Sequence, residues 1–95
     1  MTAEDLVKTL SQRGATLSTC ESLTAGLLAA TIASVPGASA VLRGGLITYG
    51  TDLKASLAGV DESLLREHGP VHPEVARQMA AGARSACSAD IGVAC

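Results

Sequence analysis

Three short segments of β-branched and small residues, separated by helix-like sequence, constrain the fold of this 95-residue chain most strongly. They cover residues 15–20, 45–49 and 91–95. Strands that alternate with helices are typical of α/β domains with a parallel sheet. We therefore predict an α/β fold, layered α/β/α, with a partly parallel sheet. The length favours one domain over residues 1–95 rather than two.

The intervening segments carry the usual start and stop signals of helices. Thr2 with Asp5 resembles a helix cap, Gly residues end helices, and Pro suits a first turn. The predicted helices follow Thr2 up to Gly14, cover residues 23–33, 52–58 and 61–68, and open again at 72–74. The Gly44–Gly45 pair interrupts the second strand segment, which predicts a bulge or a close approach of two backbones.

The core that this composition can build is thin. The chain has no Phe and no Trp, and Tyr49 is its only aromatic residue apart from histidines. Small side chains bury little apolar area, and burial stabilises by roughly 25 cal/mol per Å². The sequence also ends on a strand-like segment, although buried parallel strands usually lead into a covering helix. The composition therefore predicts a marginal domain, unless something outside these residues completes it.

Charge and cysteine usage exclude several classes of function. Seven Lys and Arg against nine Asp and Glu give a net charge of −2 without any basic run, which argues against nucleic-acid binding. The acidic, amphipathic N-terminus is not a signal peptide, and no apolar stretch could span a membrane, so we expect a cytoplasmic protein. The three cysteines lack CxxC spacing and indicate reduced thiols. We expect no metal and no organic cofactor.

The segment from Cys20 to Gly26 is the first candidate site, because it joins a predicted strand to a predicted helix. Ligands of open α/β sheets bind beyond the carboxyl ends of strands, and free N–H groups at a helix start suit an oxyanion. Ser22 or Thr24 could direct a hydroxyl into that space. The alternative is ordinary helix capping, for which Ser and Thr are common residues.

The segment from Tyr49 to Lys54 is the second candidate, at the next strand-to-helix junction. Lys54 falls in the first turn of the predicted helix, where the positive end of the helix disfavours a cation. A neutral lysine can accept a proton from a serine hydroxyl, so Ser22, Tyr49 and Lys54 could form a Ser–Lys hydrolase. Lys54 would act directly or through the Tyr49 hydroxyl. The alternative is an exposed lysine on a surface turn.

Three blocks resemble the C-terminal domain of the CinA family in order and spacing. They read TCESLTAG, VPGASAVLRGGLITYGTDLK and EHGPVHPEVARQMA. That domain is known as nicotinamide mononucleotide amidohydrolase, an enzyme of pyridine nucleotide recycling. The resemblance therefore implies hydrolysis of the nucleotide's carboxamide to nicotinic acid mononucleotide and ammonia, with water as co-substrate. It also implies a homo-oligomer.

The resemblance assigns roles to seven residues of this chain. The catalytic residues that it implies are Ser22 as nucleophile, with Tyr49 and Lys54 as activating partners. The substrate-binding residues that it implies are Glu21, Thr24, Gly26 and Gly45. The family domain continues past the third strand with a glycine-rich T-G-x-A-G-P loop that this sequence lacks. The resemblance therefore implies an incomplete domain, cut after its third strand.

Departures from the family pattern leave other functions open. Cys20 stands for the usual Ala, Ala25 for a Gly, and His72 for a common Ser; we interpret His72 as a helix-opening residue beside Pro73. Without the glycine-rich loop, the chain could be an inactive domain that binds a nucleotide or a partner protein. A thiol redox protein built on Cys20 is a weaker hypothesis, because the neighbouring Glu21 carboxylate raises a thiol pKa.

Overall fold

The computed structural model describes residues 1–95 and has a three-stranded sheet at its centre. The strands are β1 (Leu17–Glu21), β2 (Leu42–Ile47) and β3 (Ile91–Ala94). Their order across the sheet is β2-β1-β3, and both pairings are parallel. The α/β fold class predicted from the alternating segments is confirmed. The central position of β1 explains why all five of its residues are buried.

Five helices surround the sheet. They are α1 (Ala3–Arg13), α2 (Leu27–Ala33), α3 (Thr51–Ser56), α4 (Glu62–His68) and α5 (Pro73–Cys87), with a short 3₁₀ turn over Ala38–Ala40. The predicted capping signals are confirmed: Thr2 and Asp5 form a capping box, and Gly14 ends α1 in the left-handed conformation. None of these helices combines the length and apolar character that crossing a membrane requires.

The second helix starts later than the sequence predicts. The prediction placed its start at Leu23, but residues 22–26 form turns and α2 begins at Leu27. The reason is the backbone at Ala25 and Gly26, whose φ angles are +51° and +104°. A right-handed helix cannot pass through left-handed residues, so the Leu- and Ala-rich composition is overridden there.

The second strand also differs from its predicted range. It begins at Leu42 rather than at residue 45, and the register against β1 shifts so that Arg43 is the extra, bulged residue. Gly45 marks a close approach, as predicted, since a Cβ there would collide with the Thr19 hydroxyl. The bulge at Arg43 therefore lies next to the Gly44–Gly45 pair, and the close approach of the backbones is at Gly45.

Alternate residues of β1 point to opposite faces and organise two core clusters. Leu17 packs with residues of α1 and α2, whereas Cys20 packs with Val75, Met79 and Ala83 of α5. The molecule is therefore layered, with α1 and α2 on one face of the sheet and α5 on the other. The small residues of this core let α5 approach closely: a Cβ on Gly92 of β3 would collide with the Ala80 carbonyl.

We predict that Gly92→Ala lowers the free energy of unfolding by about 2 kcal/mol or more, because α5 and β3 must move apart to admit the methyl group. Urea unfolding followed by circular dichroism measures this change. Gly44→Ala is the matched control, since its Cβ would lie 3.4 Å from Cys87 Sγ, an ordinary contact. A Gly92→Ala variant as stable as the Gly44→Ala variant would contradict the close packing of α5 on the sheet.

Candidate active site

The two candidate segments meet at one edge of the sheet. Ser22 follows β1, and Tyr49 follows β2, and the carboxyl ends of parallel strands lie side by side. A pocket of about 530 Å³ opens there. Its lining residues are Ser22, Leu23, Tyr49, Thr51, Lys54, Pro70, Val71, His72, Pro73, Ala76, Met79 and Cys95. All three residues predicted to be catalytic therefore share one pocket.

Lys54 contacts Ser22 directly. The Lys54 Nζ donates to Ser22 Oγ at 3.0 Å and to the Thr48 carbonyl at 2.7 Å. The lysine is only 2% exposed, although it lies on a short helix near the surface. No carboxylate lies within 4 Å of its amine. The alternative of an exposed surface lysine is therefore wrong, and the amine is held on the serine.

Tyr49 lies at the rim of the pocket rather than between the other two residues. Its side chain is 67% exposed, and its hydroxyl makes no hydrogen bond with Ser22, Lys54 or any other group of the chain. Of the two predicted routes of activation, the direct contact is the one present in this structure. A catalytic role for the Tyr49 hydroxyl stays a prediction.

Glu21 is buried next to the turn over residues 22–26, which carries Ser22, and it caps α2. One carboxylate oxygen accepts hydrogen bonds from Thr24 Oγ1 and Leu28 N, both at 2.7 Å, and the other accepts from Ala29 N at 3.0 Å. The residue is 1% exposed. The first N–H groups of α2 are therefore occupied, and the prediction that they form the oxyanion site is wrong for this structure. Thr24 binds Glu21 instead of lining the pocket.

The same contacts set the charge of Glu21. Burial alone would raise the pKa of its carboxyl group, but hydrogen bonds from Thr24, Ala29, Leu28 and Gly26 outweigh burial and hold the pKa below its ordinary value. Glu21 is thus a carboxylate that stabilises the turn carrying Ser22. Its predicted contact with substrate stays a prediction.

The two predicted substrate-binding glycines lie outside the pocket lining. Gly26 ends the turn before α2, where a Cβ would lie 3.2 Å from Ile47 Cδ1. Gly45 pairs with Thr19 inside the sheet. Both positions have structural reasons for glycine, and their substrate contacts stay predictions.

Two site residues carry roles that the sequence alone did not reveal. Thr48 holds Lys54 through its backbone carbonyl, and a backbone acceptor has no residue-type signal. His72 caps α5, as the sequence predicts, by accepting a hydrogen bond from Glu74 N on Nδ1 at 3.1 Å. It also lines the pocket, which its position beside Pro73 did not indicate.

Cys20 is not available for thiol chemistry. It is fully buried against α5, and burial raises the pKa of its thiol, with the Glu21 carboxylate as a smaller contribution in the same direction. Both effects disfavour the reactive thiolate form of Cys20 that the redox hypothesis requires.

Comparison with known proteins identifies the family. The family model of the CinA C-terminal domain matches residues 1–95. The chain belongs to the CinA C-terminal domain family. A CinA-like protein of Frankia casuarinae is 53% identical over 85 residues, which are 90% of this chain and 20% of that protein. A CinA-like protein of Mycobacterium avium is 47% identical over 91 residues, which are 96% of this chain and 21% of that protein.

Solved structures of the CinA family share the fold. The competence/damage inducible protein of Agrobacterium tumefaciens superposes with a TM-score of 0.89 at 35% identity, covering 93% of this chain and 53% of that one. The competence damage-inducible protein of Klebsiella pneumoniae gives 0.91 at 28% identity, covering 99% and 61%. The chain thus spans about a fifth of the curated CinA relatives named above and about half of these solved chains.

We predict that Ala25→Gly, in the turn over residues 22–26, raises the free energy of unfolding by about 0.5–1 kcal/mol, because glycine adopts the left-handed φ of +51° without strain. Urea unfolding measures the gain. Ala30→Gly, at an exposed position of α2, is the matched control and should lower the free energy of unfolding by about 1 kcal/mol. Equal losses in both variants would show that Ala25 is not strained.

We predict that Glu21→Gln lowers the free energy of unfolding by about 2 kcal/mol at pH 7, because a charged acceptor is lost from buried donors. The depressed pKa of Glu21 means that its stabilisation is complete above the unfolded-state value of about 4.3 and disappears as pH falls through the folded-state value. The difference between the wild type and Glu21→Gln should therefore shrink in acid. Urea midpoints measured between pH 7 and pH 3 test this, with exposed Glu67→Gln as control. A difference independent of pH would contradict the assigned role.

Proposed function

We propose that this domain hydrolyses the carboxamide of nicotinamide mononucleotide, releasing ammonia and nicotinic acid mononucleotide, with Ser22 as nucleophile and Lys54 as proton acceptor. The observation that carries the proposal is the 3.0 Å contact between Lys54 Nζ and Ser22 Oγ inside a pocket. Membership of the CinA family supports the choice of substrate.

The first half of the reaction forms an acyl-enzyme. Ser22 Oγ attacks the carboxamide carbon as its proton passes to the neutral Lys54 amine. The C–N bond then breaks, and the Lys54 ammonium returns the proton to the leaving nitrogen, which departs as ammonia. The Thr48 carbonyl accepts one N–H of Lys54 throughout, so the amine keeps its orientation while its proton count changes.

The second half releases the acid. A water molecule attacks the ester carbon while Lys54 takes one of its protons, and that proton returns to Ser22 Oγ as the acyl–oxygen bond breaks. The products are the carboxylic acid and free Ser22. Water supplies the oxygen atom of the new carboxyl group, so the balance needs no other reactant.

The backbone after Ser22 offers donors for the oxyanion of both tetrahedral intermediates. The N–H groups of Leu23 and Thr24 donate to no group of the chain, whereas Ser22 N donates to the Cys95 carbonyl at 2.8 Å. Backbone N–H groups next to a nucleophile are common oxyanion donors. We assign this role to the N–H group of Leu23, which lines the pocket, in place of the start of α2, whose donors Glu21 occupies.

The pocket walls suit a flat aromatic amide. Leu23, Val71, Pro70, Ala76 and Met79 give it an apolar lining, and the exposed ring of Tyr49 lies at its rim. An apolar pocket with a few polar groups at one end is typical of small-molecule sites. A nicotinamide ring on these walls would place its carboxamide toward Ser22.

A second function is favoured by one observation. Glu21 occupies the α2 donors that could stabilise an oxyanion, and the assigned donor is then the single N–H group of Leu23, so an inactive domain that binds the nucleotide without turnover is the alternative. Calorimetry with nicotinamide mononucleotide would then give binding, and an ammonia assay would give none.

We predict that Ser22→Ala and Lys54→Met each lower kcat for ammonia release from nicotinamide mononucleotide by about 1,000-fold or more, because the two groups act as one unit. A coupled assay for ammonia measures the rate. Tyr49→Phe should lower kcat by less than about tenfold, since Lys54 reaches Ser22 without the Tyr49 hydroxyl. At most, one hydrogen bond between that hydroxyl and the bound substrate would be lost.

Lys8→Met is the matched control for Lys54→Met, because Lys8 is an exposed lysine of α1 outside the pocket. It should keep wild-type activity. Circular dichroism on every variant checks that the fold is kept. Full activity in folded Ser22→Ala would overturn the mechanism, and binding without any wild-type turnover would establish the alternative.

A further inference from the structure

His72 lines the same pocket as Ser22 and Lys54 but takes no part in the reaction described above. Its ring is fixed on two sides. Nδ1 accepts the hydrogen bond from Glu74 N that caps α5, at 3.1 Å. The His68 ring at the end of α4 lies against it, with centroids 4.6 Å apart and planes inclined by 32°. Few pocket residues are held as firmly without contacting the catalytic pair.

The cap decides which ring nitrogen carries the proton. A nitrogen that accepts a hydrogen bond has a free lone pair, so the neutral imidazole carries its hydrogen on Nε2. The only hydrogen bond of the His72 side chain is the one through Nδ1, so Nε2 has no hydrogen-bond partner in the chain. The ring therefore presents one oriented, unused N–H donor in a pocket whose lysine is already committed to Ser22 and Thr48.

We propose that His72 is a substrate-positioning residue, whose Nε2–H donates a hydrogen bond to an oxygen of the bound nucleotide. This inference rests on the proposed function. The acceptor is a ribose oxygen, which stays neutral throughout the reaction, because the carboxamide oxygen becomes the oxyanion that is assigned to the backbone after Ser22. A contact of this kind orients the substrate in the ground state and transition state alike, so its loss acts on KM more than on kcat.

The two nitrogens can be separated by substitution. Asn places its side-chain oxygen near the position of Nδ1 and is among the best helix caps, so His72→Asn keeps the cap and loses the donor. Gln places its amide nitrogen near the position of Nε2 but is not a preferred cap, so His72→Gln keeps the donor and weakens the cap. A residue with a merely structural role would lose activity only in parallel with stability.

The test measures kcat and KM for nicotinamide mononucleotide, together with urea midpoints, in both variants. His72→Asn should keep the wild-type midpoint and kcat, while KM rises about three- to tenfold, the range expected for one neutral hydrogen bond. His72→Gln should have a lower midpoint and a KM within twofold of wild type. Asp61→Asn, which replaces the capping residue of α4 outside the pocket lining, is the control and should keep KM within twofold.

The acceptor is located by inhibition with nicotinamide alone. An unchanged Ki in His72→Asn supports the contact with the ribose, whereas a parallel rise of Ki would place the contact on the carboxamide and overturn this inference. A wild-type KM in folded His72→Asn would overturn this inference while leaving the proposed hydrolysis intact. A wild-type chain that neither binds nor hydrolyses the nucleotide would overturn both.

Discussion

The parallel pairing of β1 with β2 is the interaction on which the candidate site depends. The ladder continues past the strand ends, where Thr48 N donates to the Glu21 carbonyl at 2.8 Å. On the other side, Ser22 N donates to the Cys95 carbonyl at 2.8 Å. Ser22 therefore leaves the sheet from a central strand held by both neighbours. The Thr48 carbonyl lies one strand away, where it holds Lys54 against the serine. A shift of this register would separate Ser22 from Lys54.

Helix ends serve the protein's own side chains at this site. Glu21 occupies the start of α2, and His72 occupies the start of α5. A carboxylate at a helix start gains from the positive end of the helix dipole, which agrees with the lowered pKa of Glu21. Both caps fix elements that line or carry the pocket. The α2 donors therefore cannot bind an oxyanion, and the proposed mechanism gives that role to the N–H group of Leu23 instead.

The sequence predicted those parts of the structure that depend on local chemistry. The capping box at Thr2 and the cap at His72 follow from residue type and spacing, as does the alternation of strands and helices. It did not predict the turn at Ala25, because alanine has high helix propensity and its residue type gives no signal of a left-handed φ. The sequence did not predict the burial of Lys54 either. A lysine two residues after Asp52 is indistinguishable from a surface residue until β1 and β2 pair and bring Ser22 to it.

The Lys54 amine has two uncharged hydrogen-bond partners, the Thr48 carbonyl and the Ser22 hydroxyl. As an ammonium ion, it donates to Thr48 O and to Ser22 Oγ, and both acceptors are present. As a neutral amine, it still donates one hydrogen to Thr48 O and directs its lone pair at the Ser22 hydroxyl, so the direction of that hydrogen bond reverses without movement of either atom. A carboxylate beside the amine would hold it in the charged state, and none lies within 4 Å. The proposed hydrolysis relies on this arrangement, because it requires the proton to pass from Ser22 to Lys54 and back between uncharged partners.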